Sequence, residues 1–555
     1  MISFSQHEAD YWPFGYGSGI NFYAPAITND SSSLNAYEGC SVISDGCGIL
    51  FYTDGDTVFN RNHIPMPNGF DLAGECFNYG EPSNTQGALI VSQPGSDSIF
   101  YIFTTDCIED TLADGMRYSI VDMSLDNGNG DVTIKNQLLM PSSTEKLTAT
   151  RHQNSCDVWI LGHEYGNDAF HAFLLSNSGI IGPIISNTGQ IHDYNNQCGV
   201  FPCINEQIAR GYMKFSSDGT KLVLVSTPDD YDINVQPVYG LYPEIFTFDK
   251  SSGIVTSDLV LNDSTYLYYG ASFSPDNSIL YLSCAWYGYN YSKGYLHQYD
   301  LSSGSPATII NSIYLVNDTI QHNYYPGALQ LGYDGKIYAA NDYSNYISTI
   351  NNPNNIGVSC AYQDTAHNLG PNHFCGVGLP NLMESYFLND QEADFSASTS
   401  TAQVGDTIYF LDNSINPNSW EWDFGDGAIS FSQNPYHVYN LPGIYQVELT
   451  INKECHYDRQ CFTVEITDEH NSITAFDPNS ILIYPNPIND KLIFESPFVI
   501  ENPKFKIVNS LGQIVYFVSP DSNSSFTFNL NLPAGVYYLI LDSDYQQATW
   551  KVVQQ

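Results

Sequence analysis

Positive charge is what this chain of 555 residues has least of: 17 Lys and Arg stand against 60 Asp and Glu, for a formal net charge of −43 at pH 7. Phosphate backbones and anionic lipid surfaces would be repelled, which excludes nucleic acid as a partner. Long apolar runs are missing as well, and no stretch approaches the roughly eighteen consecutive apolar residues of a membrane-spanning helix. No CxxC pair occurs, so a structural zinc site is not expected. No GxSxG elbow is present. His163-Glu164 opens like a zinc-protease HExxH motif, but Asn167 stands where the second histidine belongs. Met1-Ile2 is followed by SFSQHEADYW, with neither a basic start nor an apolar run, so the expectation is that an export leader is missing from this chain.

Tyrosine, cysteine and short alternating segments are what the chain does have. Its 42 tyrosines suit stacking on sugar rings or on protein partners, though many must be core. The twelve cysteines are even in number, which suits bridges formed in an oxidising compartment. Neighbours in sequence make Cys40-Cys47, Cys198-Cys203, Cys360-Cys375 and Cys455-Cys461 the candidate pairs, with connectivity open. The carboxylate clusters also make Ca2+ a possible cofactor.

Periodicity organises the first 390 residues. FSSDGTKLVLVS (215–226), FSPDNSILYLSC (273–284) and QLGYDGKIYAAN (330–341) each read as strand, turn and strand, with Asp218, Asp276 and Asp334 at a constant interval of 58 residues. Between them come returns closed by polar turns, as in IFTFDKSSGIV (245–255) and LHQYDLSSGSP (296–306). One repeat therefore holds four strands, the content of a propeller blade. The expected architecture is all-β. Residues 1–390 form a propeller of seven blades, one of them begun near 378–387 and completed by 12–22. A pair of β-sandwiches is the competing arrangement, but sandwiches give no reason for a fixed interval.

Two shorter β-modules follow. In SWEWDFGDGAIS, Trp420, Trp422 and Phe424 alternate with Glu421 and Asp423, and Gly425, Asp426 and Gly427 supply a turn. This segment, with HVY (437–439) and PGIY (442–445), resembles the PKD domain. The resemblance implies an immunoglobulin-like sandwich over 391–467, in which Trp422, Asp423, Phe424, Gly425, Asp426 and Gly427 are structural. Residues 468–480 read as a polar linker. From Ile481 the pieces YPNP (484–487), SLGQ (510–513), LPAGVYYL (532–539) and a last strand with Lys551 form another small sandwich. Their order resembles the C-terminal sorting domain of the type IX secretion system. It implies delivery through the periplasm to the cell surface or beyond, with residues 481–555 as the contact to the secretion machinery.

The long first region resembles the propeller-like part of cell-surface proteins linked to gliding motility, through YWPFGYGSGINF (11–22), residues 38–63 and 144–164, and GLPNLMESYF (378–387). That family leaves ligand and activity open. The catalytic residues are unknown. The polar cluster holding Glu145, Lys146, Arg151, His152, Trp159, His163 and Glu164 points to ligand binding by Arg151, His152, Trp159 and His163 near the mouth of a central channel. A secreted binding or adhesion protein that recognises an extracellular polysaccharide or a surface protein is the favoured function. A polysaccharide-degrading enzyme with an accessory module is the alternative, since paired carboxylates are abundant.

Overall fold

The computed structural model describes all residues except 1–6, 23–26, 75–76, 79–80, 109–111, 113, 193–205, 228–241, 263–267, 285–293, 318–325, 388–392, 416, 454, 468–479, 501 and 544–546. The chain divides into two compact units, Met1–Ile466 and Thr467–Gln555.

In the first unit, seven small antiparallel meanders follow one another among the described residues. The first two have three strands: sheet 1 comprises Tyr11–Phe14, Tyr16–Asn21 and Thr28–Asn35, and sheet 2 comprises Ser41–Asp45, Gly48–Thr53 and Val58–Asn60. Sheets 3 to 7 have four strands each, and their first strands are Ala88–Ser92, Leu147–Arg151, Met213–Phe215, Gly270–Phe273 and Pro326–Leu331. Burial falls from the first strand outwards: every residue of Leu147–Arg151 is buried, whereas Gly179–Asn187, the fourth strand of the same sheet, is largely exposed. A strand buried on both faces tolerates no alternation, which is why the inner strands read as unbroken apolar or small-residue runs.

The 58-residue interval has a local cause. Ser216 Oγ donates to Asp218 Oδ1 at 2.6 Å and Thr220 N donates to the same oxygen at 2.9 Å; Ser274 and Ser278 treat Asp276 alike. These aspartates close the turn from first to second strand. The turn from third to fourth strand is closed by Asp122, Asp249 and Asp300, each accepting from the backbone N–H two residues on.

The starts of the first strands form a circle of hydrogen bonds, called here the upper rim. Gly39 N donates to Asn84 O, Thr85 N to Glu145 Oε2, Glu145 N to Ala209 O, Tyr212 N to Tyr269 O and Ser283 Oγ to Gly327 O. Ala328 N then donates to Val377 O, and Val377 N donates to Tyr37 O at 2.8 Å, which returns the circle to its beginning.

Residues 378–387 do not add a ladder strand to sheet 1. They run as buried, irregular chain ending in a 3-10 turn, Glu384–Phe387. Asn381 N donates to Cys40 O, its Nδ2 donates to Ala88 O and Leu147 O, and its Oδ1 accepts from Gln86 Nε2. Three residues on, Glu384 Oε1 accepts from Lys214 Nζ at 2.9 Å and from Gln330 Nε2 at 3.0 Å. One short segment thus touches the first strands of sheets 3, 4, 5 and 7, which places it on the axis they surround. Gly378 makes the passage possible, since a Cβ there would lie 1.8 Å from Glu38 O.

The immunoglobulin-like module packs Phe395–Ala397, Thr407–Asp412 and Tyr436–Val438 against a five-stranded sheet whose long hairpin is Gly443–Lys453 and His456–Thr467. Trp422 and Phe424 lie in its core with Phe410, Tyr439 and Leu449. Asp423 and Asp426 are exposed, and each accepts a backbone N–H of the tight turn that carries Gly425 and Gly427 at positive φ.

The second unit is built around a seven-stranded sheet and a core of Phe494, Phe505, Phe526, Leu539, Leu541 and Val552. Its sequence signatures meet in space. Asn486 of the YPNP motif donates to Lys551 O and accepts from Val553 N, so its side chain clamps the last strand. Asn509 Oδ1 accepts from Leu511 N and Gln513 N, which closes the SLGQ turn around Gly512.

Candidate functional site

The residues expected to share one ligand are split between opposite ends of sheet 4. Leu147 pairs with Gly162 and Arg151 with Val158, so His163 lies beside the start of the first strand and Arg151 at its end. Five residues of strand separate them by about 15 Å.

At the upper rim, burial dominates. His163 is enclosed against Phe170 and His192, and burial, then the nearby Lys146 charge, pushes it down to about 3. Lys146 donates to the carbonyls of Ile208, Ala209 and Arg210, and burial lowers it to about 7. Glu145 accepts from Thr85 N, Thr85 Oγ1 and Ile108 N; burial, then the field of Glu38, raises it to about 7. Glu38 accepts from Ser83 Oγ and Tyr269 OH. These charges tie the circle of strand starts together.

Trp159 belongs to neither rim. Its indole fills the gap between sheets 4 and 5, against Phe248 and Gly253, with Nε1 donating to Lys250 O. His152 packs beside it at 5.8 Å and is half-buried.

Arg151 and His152 lie at the lower rim, where the first strands of the sheets end, and there the module docks. Cys47, in the first turn of sheet 2, is bonded to Cys461; Cys156, in the first turn of sheet 4, is bonded to Cys455. The expected Cys40-Cys47 and Cys455-Cys461 pairs are therefore replaced by bridges spanning 414 and 299 residues, which join the seven sheets to the module. Cys40, Cys360 and Cys375 are buried thiols, so the Cys360-Cys375 bridge is absent too. The strand register explains the exchange: Cys461 lies opposite Glu448 on the neighbouring strand, well away from Cys455 at the hairpin tip. Cys198 and Cys203 fall outside the described residues. Among the described residues, the one grouping of metal-capable atoms within reach of each other is Cys47, Glu448 and Cys461, whose two sulfurs are consumed by the bridge.

Backbone contacts reinforce the bridges. Gly46 N donates to Arg459 O and Gly95 N to Cys455 O, while His456 Nε2 lies 2.5 Å from Ser155 O. Gly46 has no room for a side chain, since a Cβ would meet Arg459 O at 2.2 Å.

Inside this junction lies a cluster with no counterpart in the sequence reading. His7 Nδ1 bonds Asp10 Oδ2 at 2.6 Å, and Asp10 is wholly buried. Burial opposes the His7 charge, but the Asp10 bond and the fields of Asp458, Asp10 and Glu8 outweigh it and raise the ring to about 9. Glu8 is raised to about 7 by burial and by Asp458, against the pull of Arg151. Asp458 accepts from Ala393 N and Arg459 N, and Arg459 reaches Asp45 at 3.7 Å. Glu8 Oε2, Asp10 Oδ1 and Arg151 Nε are enclosed without a hydrogen-bond partner. Beside the cluster is a cleft of about 380 Å³, lined from the sheets by Glu8, Asp45, Arg61 and residues 92–93 and 96–98 and from the module by residues 455–459. The available signal was the charged CHYDRQC tip, two cysteines flanking Asp458 and Arg459.

The PKD domain model matches residues 388–467, and the secretion system C-terminal sorting domain model matches 482–555. Collagenase ColA of Bacillus cereus is 22% identical over 162 residues, 29% of this chain and 13% of that protein's length. The PKD1 domain of the Vibrio cholerae metalloprotease PrtV is 26% identical over 14% of this chain and 95% of its own, with a TM-score of 0.13. A protein from Lactobacillus plantarum covers 71% of this chain and 93% of its own at 11% identity and a TM-score of 0.32. The chain carries a PKD domain and a sorting domain of the type IX route, which marks it as a secreted, extracellular protein. Among the described residues no helix is long and apolar enough to cross a membrane.

Proposed function

We propose that the protein is a secreted or surface-attached binding protein, in which the seven sheets are blades of a propeller and the module is a fixed part of the recognition surface. The observation that carries this reading is the filled axis. A propeller ordinarily offers its central channel to a small ligand. Here residues 378–387 occupy that space, and Lys214, Gln330 and Glu384 satisfy one another inside it. Recognition therefore falls to outer surfaces, which suits an extended partner: an extracellular polysaccharide or a surface protein. On the module, Tyr409 and Tyr436 are exposed cross-strand neighbours with ring centroids 6.1 Å apart, and exposed Leu411 follows Tyr409 on the same face. Aromatic faces of this kind suit either partner.

A polysaccharide-degrading enzyme with the module as accessory is the second reading, and Glu145 is not exposed to serve it. Both it and Glu38 are enclosed, so the carboxylate pair of such an enzyme lies on the acidic outer surface or is uncovered by movement of the rim. One experiment separates the two. The full chain is passed over insoluble and immobilised polysaccharides and surface proteins, with calcium or with chelator, and the supernatant is assayed for released sugar. Retention without release is expected. Release abolished by removing a single exposed carboxylate, in a variant that melts as the native chain does, would establish an enzyme instead, and retention lost with chelator would establish the calcium requirement.

A further inference from the structure

We infer that the cleft between sheets 2 and 3 and the module hairpin is a composite binding site for a neutral, hydroxyl-rich ligand, a saccharide segment. The inference rests on the reading of the protein as a binder of extracellular polymer, and assigns that binding a place.

Size and position come first. At about 380 Å³ the cleft falls in the roughly 300–1,000 Å³ range of small-molecule pockets. Its walls come from two domains, and the bridges Cys47–Cys461 and Cys156–Cys455 hold those walls in register. Preorganisation of this kind lowers the cost of binding.

Charge then selects the ligand. Asp45 is already engaged, facing Arg459 at 3.7 Å and accepting Cys47 N at 2.9 Å; Asp458 is saturated by two backbone N–H groups. Glu8 lines the same cleft, and its enclosed Oε2 accepts no hydrogen bond. Behind it Arg151, 5% exposed, has an Nε with no acceptor. An anion would meet Glu8, Asp45, Asp97 and Asp458 within a chain of net charge −43. A cation would meet Arg61 and Arg459 on the lining and Arg151 behind it. A neutral ligand that donates and accepts through hydroxyls suits walls of mixed sign, and the serine hydroxyls at 92, 96 and 98 supply further partners.

The test is calorimetric titration of the full, oxidised chain with neutral gluco-, xylo- and manno-configured hexaoses and with an amine-bearing hexaose as the cationic probe. Three proteins are compared: the native chain, Glu8→Gln, and the double variant Tyr409→Ala and Tyr436→Ala on the module's outer face. Glu8→Gln keeps the shape of the side chain and removes a charge beside Asp458, so the fold is retained; a melting temperature no lower than the native one checks this. The expected result at pH 8, where Glu8 is ionised, is a neutral hexaose bound by the native chain, weakened about 10- to 100-fold in Glu8→Gln as a charge-assisted hydrogen bond is lost, and weakened less than that in the tyrosine variant. Binding insensitive to Glu8→Gln but lost in the tyrosine variant overturns the cleft assignment and leaves the binding function standing. Preference for the amine-bearing probe overturns the choice of a neutral ligand. If no hexaose binds and no polysaccharide retains the protein, the saccharide reading itself falls.

Discussion

The upper and lower rims are the two ends of the same set of first strands, yet they treat buried charge in opposite ways. At the upper rim Glu145 has three donors, Lys146 has three acceptors and Glu38 has two donors, all supplied by neighbouring strand starts. At the lower rim the ionisable groups Glu8, Asp10 and Arg151 each retain an enclosed atom without a partner, whereas the enclosed partnerless atoms of the upper rim, His163 Nδ1, His192 Nε2 and Tyr212 OH among them, belong to groups that burial keeps neutral. A saturated buried network makes a structure unique, whereas an unsaturated one is costly and tends to coincide with a site that something else completes. The upper rim closes the circle of sheets. The lower rim is where a second domain has been fixed and where a cleft remains.

If that division is right, the severest losses come from the axis. Lys214→Met leaves Glu384 buried without its cation, and breaking such a pair costs about 3–5 kcal/mol. Denaturant unfolding of the full chain should show that loss in the transition of the seven sheets, while the sorting unit unfolds as before. Gln86→Ala ranks next. The Gln86 amide accepts from Met213 N and Leu147 N and donates to Met213 O and Asn381 Oδ1, so truncation orphans buried groups in two sheets and the axial segment. A loss of roughly 2–3 kcal/mol is expected by the same measurement. A loss below 1 kcal/mol in either variant would break the contrast between the rims.

The bridges test the lower rim. Removing one by Cys156→Ser with Cys455→Ser should cost about 2–4 kcal/mol by loss of the cross-link, with the second bridge keeping the module attached. Removing both should uncouple the module, so that the PKD core around Trp422 melts separately from the sheets in calorimetry. A single unchanged transition after both are removed would show that Gly46 and Gly95 hold the junction without them.

The sequence disclosed whatever was local and repeated. The Ser-x-Asp turn specifies its own geometry, so Asp218 and Asp276 announced their hairpins, and WDFGDG announced a core tryptophan beside a glycine turn. Long-range partners left no local trace. Cysteines close in sequence suggested short loops, but adjacent strand positions point to opposite faces and the hairpin tip carries Cys455 away from Cys461. Arg151 and His163 are twelve residues apart and looked like one site; an antiparallel turn sent them to opposite rims. Glu8 lies in a short segment near Met1 that carries no motif, and nothing in SQHEAD shows that Asp458 would come to face it across the junction.

The smallest expected effect is also the most specific, because it follows from the sign of two shifts at the lower rim. Glu8 is held above its ordinary value, at about 7, so its contribution to stability is fully present below about 4.5 and is lost as pH rises through 7. His7 is held at about 9, above its ordinary 6.5, so its contribution is present below about 6.5 and is lost as pH rises through 9. Both losses run the same way, and the docked module should loosen between pH 5 and 9. Glu145 at the upper rim is raised in the same direction as Glu8, so the pH profile of the native chain alone does not locate the effect. The difference between the native chain and Glu8→Gln does: the variant should lose the part of the slope between pH 5 and 7 and keep the part between 7 and 9, where His7 titrates. Melting temperatures measured across that range should differ by a few degrees at most. Parallel profiles for the two proteins would place the titrating carboxyl at the upper rim instead, and would mean that the lower rim is as well satisfied as its counterpart.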